Sequence, residues 1–132
     1  MTPTLKGIDH IHVYVSSWGE AEEWYGLVLG FERIDSLMSW AVPGGPLTLG
    51  KSGSDIHLAL FEREDRPNTS AIAFGASGEE FLAWKEHLES HGLELRVADH
   101  ELAWSLYFTD PYGNMHEITT YDIDHVSRQL AG

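Results

Sequence analysis

Residues 108–121 read FTDPYGNMHEITTY, and this stretch decides the fold. It reads as a strand, a tight turn and a second strand. Pro111 presets φ at the second position of a turn, and Gly113 and Asn114 tolerate the left-handed conformation that closes it. The strand leaving the turn carries one carboxylate, Glu117, among Ile118, Thr119, Thr120 and Tyr121, residues that favour strands. A charge in the middle of such a strand is either solvated on an outer face or held inside by a partner.

Working outward, residues 8–15 (IDHIHVYV) alternate with period two and read as another strand. His10, His12 and Tyr14 share one face of it; Ile11, Val13 and Val15 share the other. Ser17, with Glu20 three residues later, forms a capping box for a helix running to about Val28. Its apolar stripe is Ala21, Trp24, Tyr25 and Val28, and Gly30 ends it. Strands are predicted over 31–42, 47–50 and 56–61, separated by the turns at 43–46 and 52–55. Residues 62–68, charged and containing Pro67, read as a linker. The pattern then restarts. A strand over 69–76, a helix from Ser77 to about Ser90 and strands over 93–98, 102–109 and 115–121 follow. A short helix closes the chain over 123–130.

The chain is therefore two copies of strand-helix-strand-strand-strand. His10-Ile11 overlays Ala71-Ile72 at an offset of 61 (71 − 10), and Trp24 overlays Trp84 at 60 (84 − 24). His57 with Phe61 overlays Glu117 with Tyr121, again at 60 (117 − 57). A two-residue slip would instead bring Ala59 to the level of Glu117. A repeat of this kind outweighs any single motif in fixing a fold. The expected architecture is α+β: one domain over 1–132, built from a module at 8–61, the linker at 62–68, a module at 69–121 and a tail at 122–132.

Composition narrows the function. The 132 residues suffice for one well-filled core and contain no cysteine, which removes disulfides, thiolate catalysis and cysteine-based zinc sites. A formal charge of −13 disfavours nucleic acid and anionic lipid as partners. The eight basic residues are scattered and make no cluster for a multiply charged anion. No apolar run reaches the length of a membrane span, and the first residues lack a signal-peptide pattern, so a cytoplasmic location is the expectation.

The segments GIDHIHVYV, EEWYGLVLGF and YFTDPYGNMHEI together resemble the vicinal oxygen chelate superfamily, the glyoxalase, bleomycin resistance and dioxygenase family. The resemblance covers nearly the whole chain. It implies paired βαβββ modules with curled mixed sheets forming a cup around a small-molecule site, usually in a homodimer. It also implies four metal-ligand positions, which fall here on His10, His57, Ala71 and Glu117. Alanine cannot ligate, so the implied donors are His10, His57 and Glu117.

Two imidazoles and a carboxylate suit a divalent ion such as Zn, Ni, Fe, Mn or Co and leave positions open to substrate. His12, on the face of His10, is a fourth ligand, a general base or an orienting neighbour. His116 alternates with Glu117 and should point away from it; His87, His91, His100 and His125 read as surface. Trp40, Trp104, Tyr107, Phe108 and Tyr121 are candidates for a substrate wall, with Tyr121 sharing the parity of Glu117.

The leading expectation is a glyoxalase-like metal-dependent enzyme acting on a small substrate with vicinal oxygens. Its chemistry would be of the isomerase, lyase or epimerase type, through a metal-stabilised enolate or alkoxide, with Glu117 or His12 moving the proton. The scattered basic residues argue against glutathione or a phosphonate as substrate. The alternatives are a metal-free small-molecule binding or antibiotic-resistance protein and, third, an extradiol-type dioxygenase.

Overall fold

A computed structural model describes residues 3, 8–64 and 71–131. The chain divides into two compact units, Met1–Pro67 and Asn68–Gly132. Most of the expected linker and the first residues of the strand expected over 69–76 lie outside the described residues.

In the first unit the order is β1 (Ile11–Val15), α1 (Trp18–Trp24), β2 (Phe31–Arg33), β3 (Pro46–Lys51) and β4 (His57–Glu62). The strands form one sheet in the order β1-β4-β3-β2, with β1 parallel to β4 and the other pairs antiparallel. The alternation of β1 resolves into two faces. Val13 pairs with Leu60 and Leu60 with Leu47; these residues, with Leu58, Leu49 and Val15, are buried under α1. Burying each such side chain contributes roughly 1.5–3 kcal/mol, so this face holds the unit together. The helix is capped as expected: the Glu20 N–H donates to Ser17 Oγ at 3.3 Å. The Trp18 indole N–H donates to the Leu60 carbonyl at 2.7 Å and ties the helix to β4. The last turn widens into a π-helical segment, Tyr25–Leu29, and stops at Gly30, whose φ of 79° only glycine adopts without strain.

The second unit repeats the plan: β5 (Ile72–Gly75), α2 (Gly78–Ser90), β6 (Arg96–Asp99), β7 (Trp104–Thr109) and β8 (Met115–Thr120), followed by α3 (Ile123–Ala131). Its sheet order is β5-β8-β7-β6, again with the first and last strands parallel. Two βαβββ modules with mixed four-stranded sheets are thus present, as the repeat requires.

The main correction concerns residues 31–42, expected as one strand. Only Phe31–Arg33 pairs with β3, and Asp35–Trp40 is a 3₁₀ helix. The segment DSLMSW has no period-two alternation, and Asp and Ser favour local turns over a ladder. The strand expected over 93–98 begins at Arg96, and the one over 102–109 at Trp104.

The turn between β7 and β8 is built around one side chain. Asp110 Oδ1 accepts the backbone N–H groups of Tyr112 and Asn114, both at 2.8 Å, and its Oδ2 accepts Asn114 Nδ2–H at 2.7 Å. Both residues are buried. Gly113 takes a φ of 86°. The sequence DPYGN therefore works as a closed hydrogen-bonded unit that fixes where β8 starts, and with it the parity of every residue on β8.

Candidate functional site

Parity and register set what the open face of each sheet presents. In the second unit, Ile72, His116 and Phe108 pair across the sheet towards the helices. His116 is fully buried there, with the rings of Phe74 and Phe108 at 5.9 and 5.6 Å. Burial pushes its pKa down to about 4, against a smaller opposite effect of the Asp110 charge. It points away from Glu117, as the alternation requires.

On the other face a row crosses the sheet: Ala73, Glu117, Tyr107 and Arg96, each paired with the next. Glu117 is half-buried, and its Oε2 accepts a hydrogen bond from the Ser105 hydroxyl at 2.7 Å. Thr119 Oγ1 lies 3.1 Å from the same serine oxygen and 3.3 Å from the Trp104 carbonyl. The charge in the middle of β8 is thus not freely solvated, and among the described residues it has no ion-pair partner; it is aimed by a hydroxyl on the neighbouring strand. Beside it, the Arg96 guanidinium stacks over Tyr107 at 4.3 Å, and His100 Nε2 lies 2.9 Å from the Tyr107 hydroxyl. A cleft of about 550 Å³ runs along the β6–β7 edge, bordered by Arg96, Tyr107, Thr109 and Met115.

In the first unit the open face carries His10, His12, His57 and Phe61. The His10 Nδ1–H donates to Asp9 Oδ2 at 2.8 Å. The Nε2 atoms of His10 and His12 lie 3.1 Å apart, and the two rings stack at 5.0 Å with 23° between their planes. Phe61 flanks His12 at 4.7 Å. His57 begins β4, and its partner on β3 is Gly50. Ile11 pairs with Leu58, so His10 and His57 each stand one residue before that pair. Among the described residues, no group of three or more His, Asp or Glu side chains converges in a metal-holding arrangement.

The pairing resolves the slip left open by the sequence. Ile11 and Ile72 start β1 and β5, an offset of 61 (72 − 11). At that offset His12 corresponds to Ala73, and their partners on the last strands are Ala59 and Glu117. Ala59, and not His57, therefore occupies the level of Glu117.

The aromatic candidates separate. Trp104 is on the helix side of its sheet, where its indole N–H donates to Ser127 Oγ of α3 at 2.9 Å. Phe108 is buried on that side too. Trp40 is in the 3₁₀ helix and 54% exposed; Tyr121, one residue past β8, is 79% exposed. Tyr107 is the aromatic residue paired with Glu117. Sequence reasoning named Tyr107 among the wall candidates but missed its pairing with Glu117, and it missed Ser105 and Asp9. Counting back across the DPYGN turn would have found Tyr107 and Ser105.

The sequence profile of the Glyoxalase/Bleomycin resistance protein/Dioxygenase superfamily matches residues 7–118, and the chain belongs to that superfamily. An integron cassette protein from the mobile metagenome of the Halifax Harbour sewage outfall is similar at 29% identity and a TM-score of 0.72, over 88% of this chain and 99% of that one. TnmS3, an antibiotic binding protein from Streptomyces sp. CB03234, has 18% identity and a TM-score of 0.75, over 91% and 99%. The fosfomycin resistance protein FosX from Listeria monocytogenes, in complex with Mn(II) and sulfate, has 16% identity and a TM-score of 0.68, over 96% and 99%. The last two share the fold with this chain. Among the described residues no helix is long and apolar enough to cross a membrane.

Proposed function

We propose that this member of the superfamily is a glyoxalase-like, metal-dependent enzyme that acts on a small substrate with vicinal oxygens, in isomerase-, lyase- or epimerase-type chemistry. The observation that carries this reading is Glu117, a half-buried carboxylate on an open sheet face, held by Ser105 at 2.7 Å. Ordinary strand packing has no need of a carboxylate there, and a carboxylate fixed by a neighbouring hydroxyl is preorganised to bind a cation or take a proton.

The candidate donors, taken unit by unit, are His10 and His57 in the first and Glu117 in the second. Their chemistry fits a borderline divalent ion, Zn, Ni, Fe, Mn or Co. His10 is oriented for this role by the Asp9 carboxylate on its Nδ1, which leaves a lone pair on Nε2 of the neutral ring, on the side of His12. A bound ion would supply Lewis acidity to adjacent substrate oxygens. The base that moves a substrate proton is drawn from Glu117 and His12. Tyr107 and Arg96, in the row of Glu117, are positioned to contact the substrate, with Tyr121 and Trp40 as the more distant candidates.

Metal analysis by plasma mass spectrometry on untagged, chelator-free protein, beside Glu117→Gln, tests the reading. The expected result is about one transition ion per chain, lost in the variant. Absence of metal even after incubation with each ion would overturn it. The second reading is a metal-free small-molecule binding protein, and that outcome would make it the better account.

A further inference from the structure

At the level where the second unit carries Glu117 on β8, the first unit carries Ala59 on β4. The neighbouring position on the first strand is reversed: Ala73 in the second unit, His12 in the first. On the first and last strands, each unit thus has one polar side chain at this level. His12 lies beside the small Ala59, where a ring has room to lean.

The ring of His12 leans towards His10. Residues two apart on a strand are separated by about 6.6 Å along it. Yet the two Nε2 atoms come to 3.1 Å. With the Nδ1–H of His10 given to Asp9, the neutral His10 ring presents a lone pair at Nε2. In the absence of a cation, His12 meets it with an Nε2–H. If His12 carries its proton on Nδ1 instead, two lone pairs face each other, an arrangement that only a cation between or beside them makes favourable. Two nitrogens bound to one ion at about 2.0–2.1 Å, and separated as these are, subtend about 100°. That is between the octahedral and tetrahedral angles.

We infer that His12 is a metal ligand, forming a two-nitrogen chelate with His10 at the start of the first strand. This inference rests on the metal-dependent reading above and adds a ligand to it. Asp9 is a positioning residue that fixes the tautomer of His10. His57 stands two residues along β4 from Ala59, the partner of His12, and is the weaker donor.

The test is titration of the full, metal-stripped chain with Zn(II), Ni(II), Co(II) and Mn(II), read by calorimetry and by the Co(II) visible spectrum. The variants are His10→Ala, His12→Ala, His12→Gln and His57→Ala, with His91→Ala as a surface control. His12 is exposed, so its variants keep the fold, which circular dichroism checks. The expected result is at least a tenfold loss of affinity in both His12 variants, close to that of His10→Ala and larger than that of His57→Ala. The Co(II) spectrum should also change on loss of one nitrogen. Wild-type affinity in the His12 variants, with binding lost in Glu117→Gln, would overturn the inference while leaving the metal reading intact. No binding of any ion to the wild type would overturn both.

Discussion

Replacing His116 by leucine should remove a pH dependence that the wild type owes to one buried ring. His116 is 0% exposed, wedged between Phe74 and Phe108 on the helix side of its sheet. Its pKa is pushed from 6.5 to about 4, first by desolvation. In the unfolded chain the ring takes up its proton near 6.5, whereas the folded protein refuses it until about 4. Stability from this group is therefore complete above 6.5, falls as pH drops from 6.5 to 4, and is constant below. The shift of 2.5 units (6.5 − 4) corresponds to about 3 kcal/mol at 1.36 kcal/mol per unit. That is a large fraction of the 5–15 kcal/mol typical of a domain. Urea unfolding of wild type and His116→Leu at half-unit steps from pH 7.5 to 3.5 gives the difference directly. Effects of the formal charge of −13 and of the other carboxylates cancel in the subtraction. The difference should be flat above 6.5 and fall by about 3 kcal/mol by pH 4. A difference that stays constant with pH, or a His116 ring that titrates near 6.5 by NMR, would refute the assignment of this ring to a dry core.

Two further outcomes follow from hydrogen bonds. Ser105→Ala leaves Glu117 without its orienting hydroxyl, and should weaken the binding of a divalent ion by roughly tenfold, while Ser105→Thr restores most of it; calorimetric titration reads both, and an unchanged affinity in the alanine variant would remove Ser105 from the site. Asn114→Ala deprives the buried Asp110 Oδ2 of its 2.7 Å donor and should cost about 1–3 kcal/mol, seen as a lower urea midpoint at an unchanged slope.

The fold was legible because it is written twice. Two capping serines, two glycine-ended helices and strands of matching parity fall at an offset near 60, and each half constrains the reading of the other. The DPYGN turn adds a fixed origin for β8, so the opposite directions of His116 and Glu117 could be read before any coordinates, though not which of them faces the helices. What could not be read was depth along the strands. The overlay of His57 on Glu117 used sequence offset alone, and a gap of two residues preserves parity, so every side chain stays on the expected face while its level changes. Only the ladder, with Ile11 on Leu58 and Ile72 on His116, fixes the level and brings Ala59 opposite His12. The segment 35–40 failed for a different reason. Its apolar content equals that of a strand, but its backbone bonds locally, Leu37 N–H to the Ile34 carbonyl at 2.9 Å and Ala41 N–H to the Met38 carbonyl at 3.0 Å. The side taken by Trp104 was not legible because tryptophan suits a ligand wall and a helix-sheet seam equally well; its indole N–H donates to Ser127 on the helix side.

The parallel pairing of the first and last strands in each unit bears on how the chain acquires its structure. Ile11 meets Leu58 across 47 residues (58 − 11), and Ile72 meets His116 across 44 (116 − 72). In both sheets the last strand is an inner one, hydrogen-bonded on both sides. No sheet can be complete until its final strand is available, so closing a loop of that length is part of the rate-limiting search. During synthesis, α1 and the β2–β3 pair can form early, but β1 stays without its partner until β4 has left the ribosome. All strands of the first sheet are then available while the second unit is still being made.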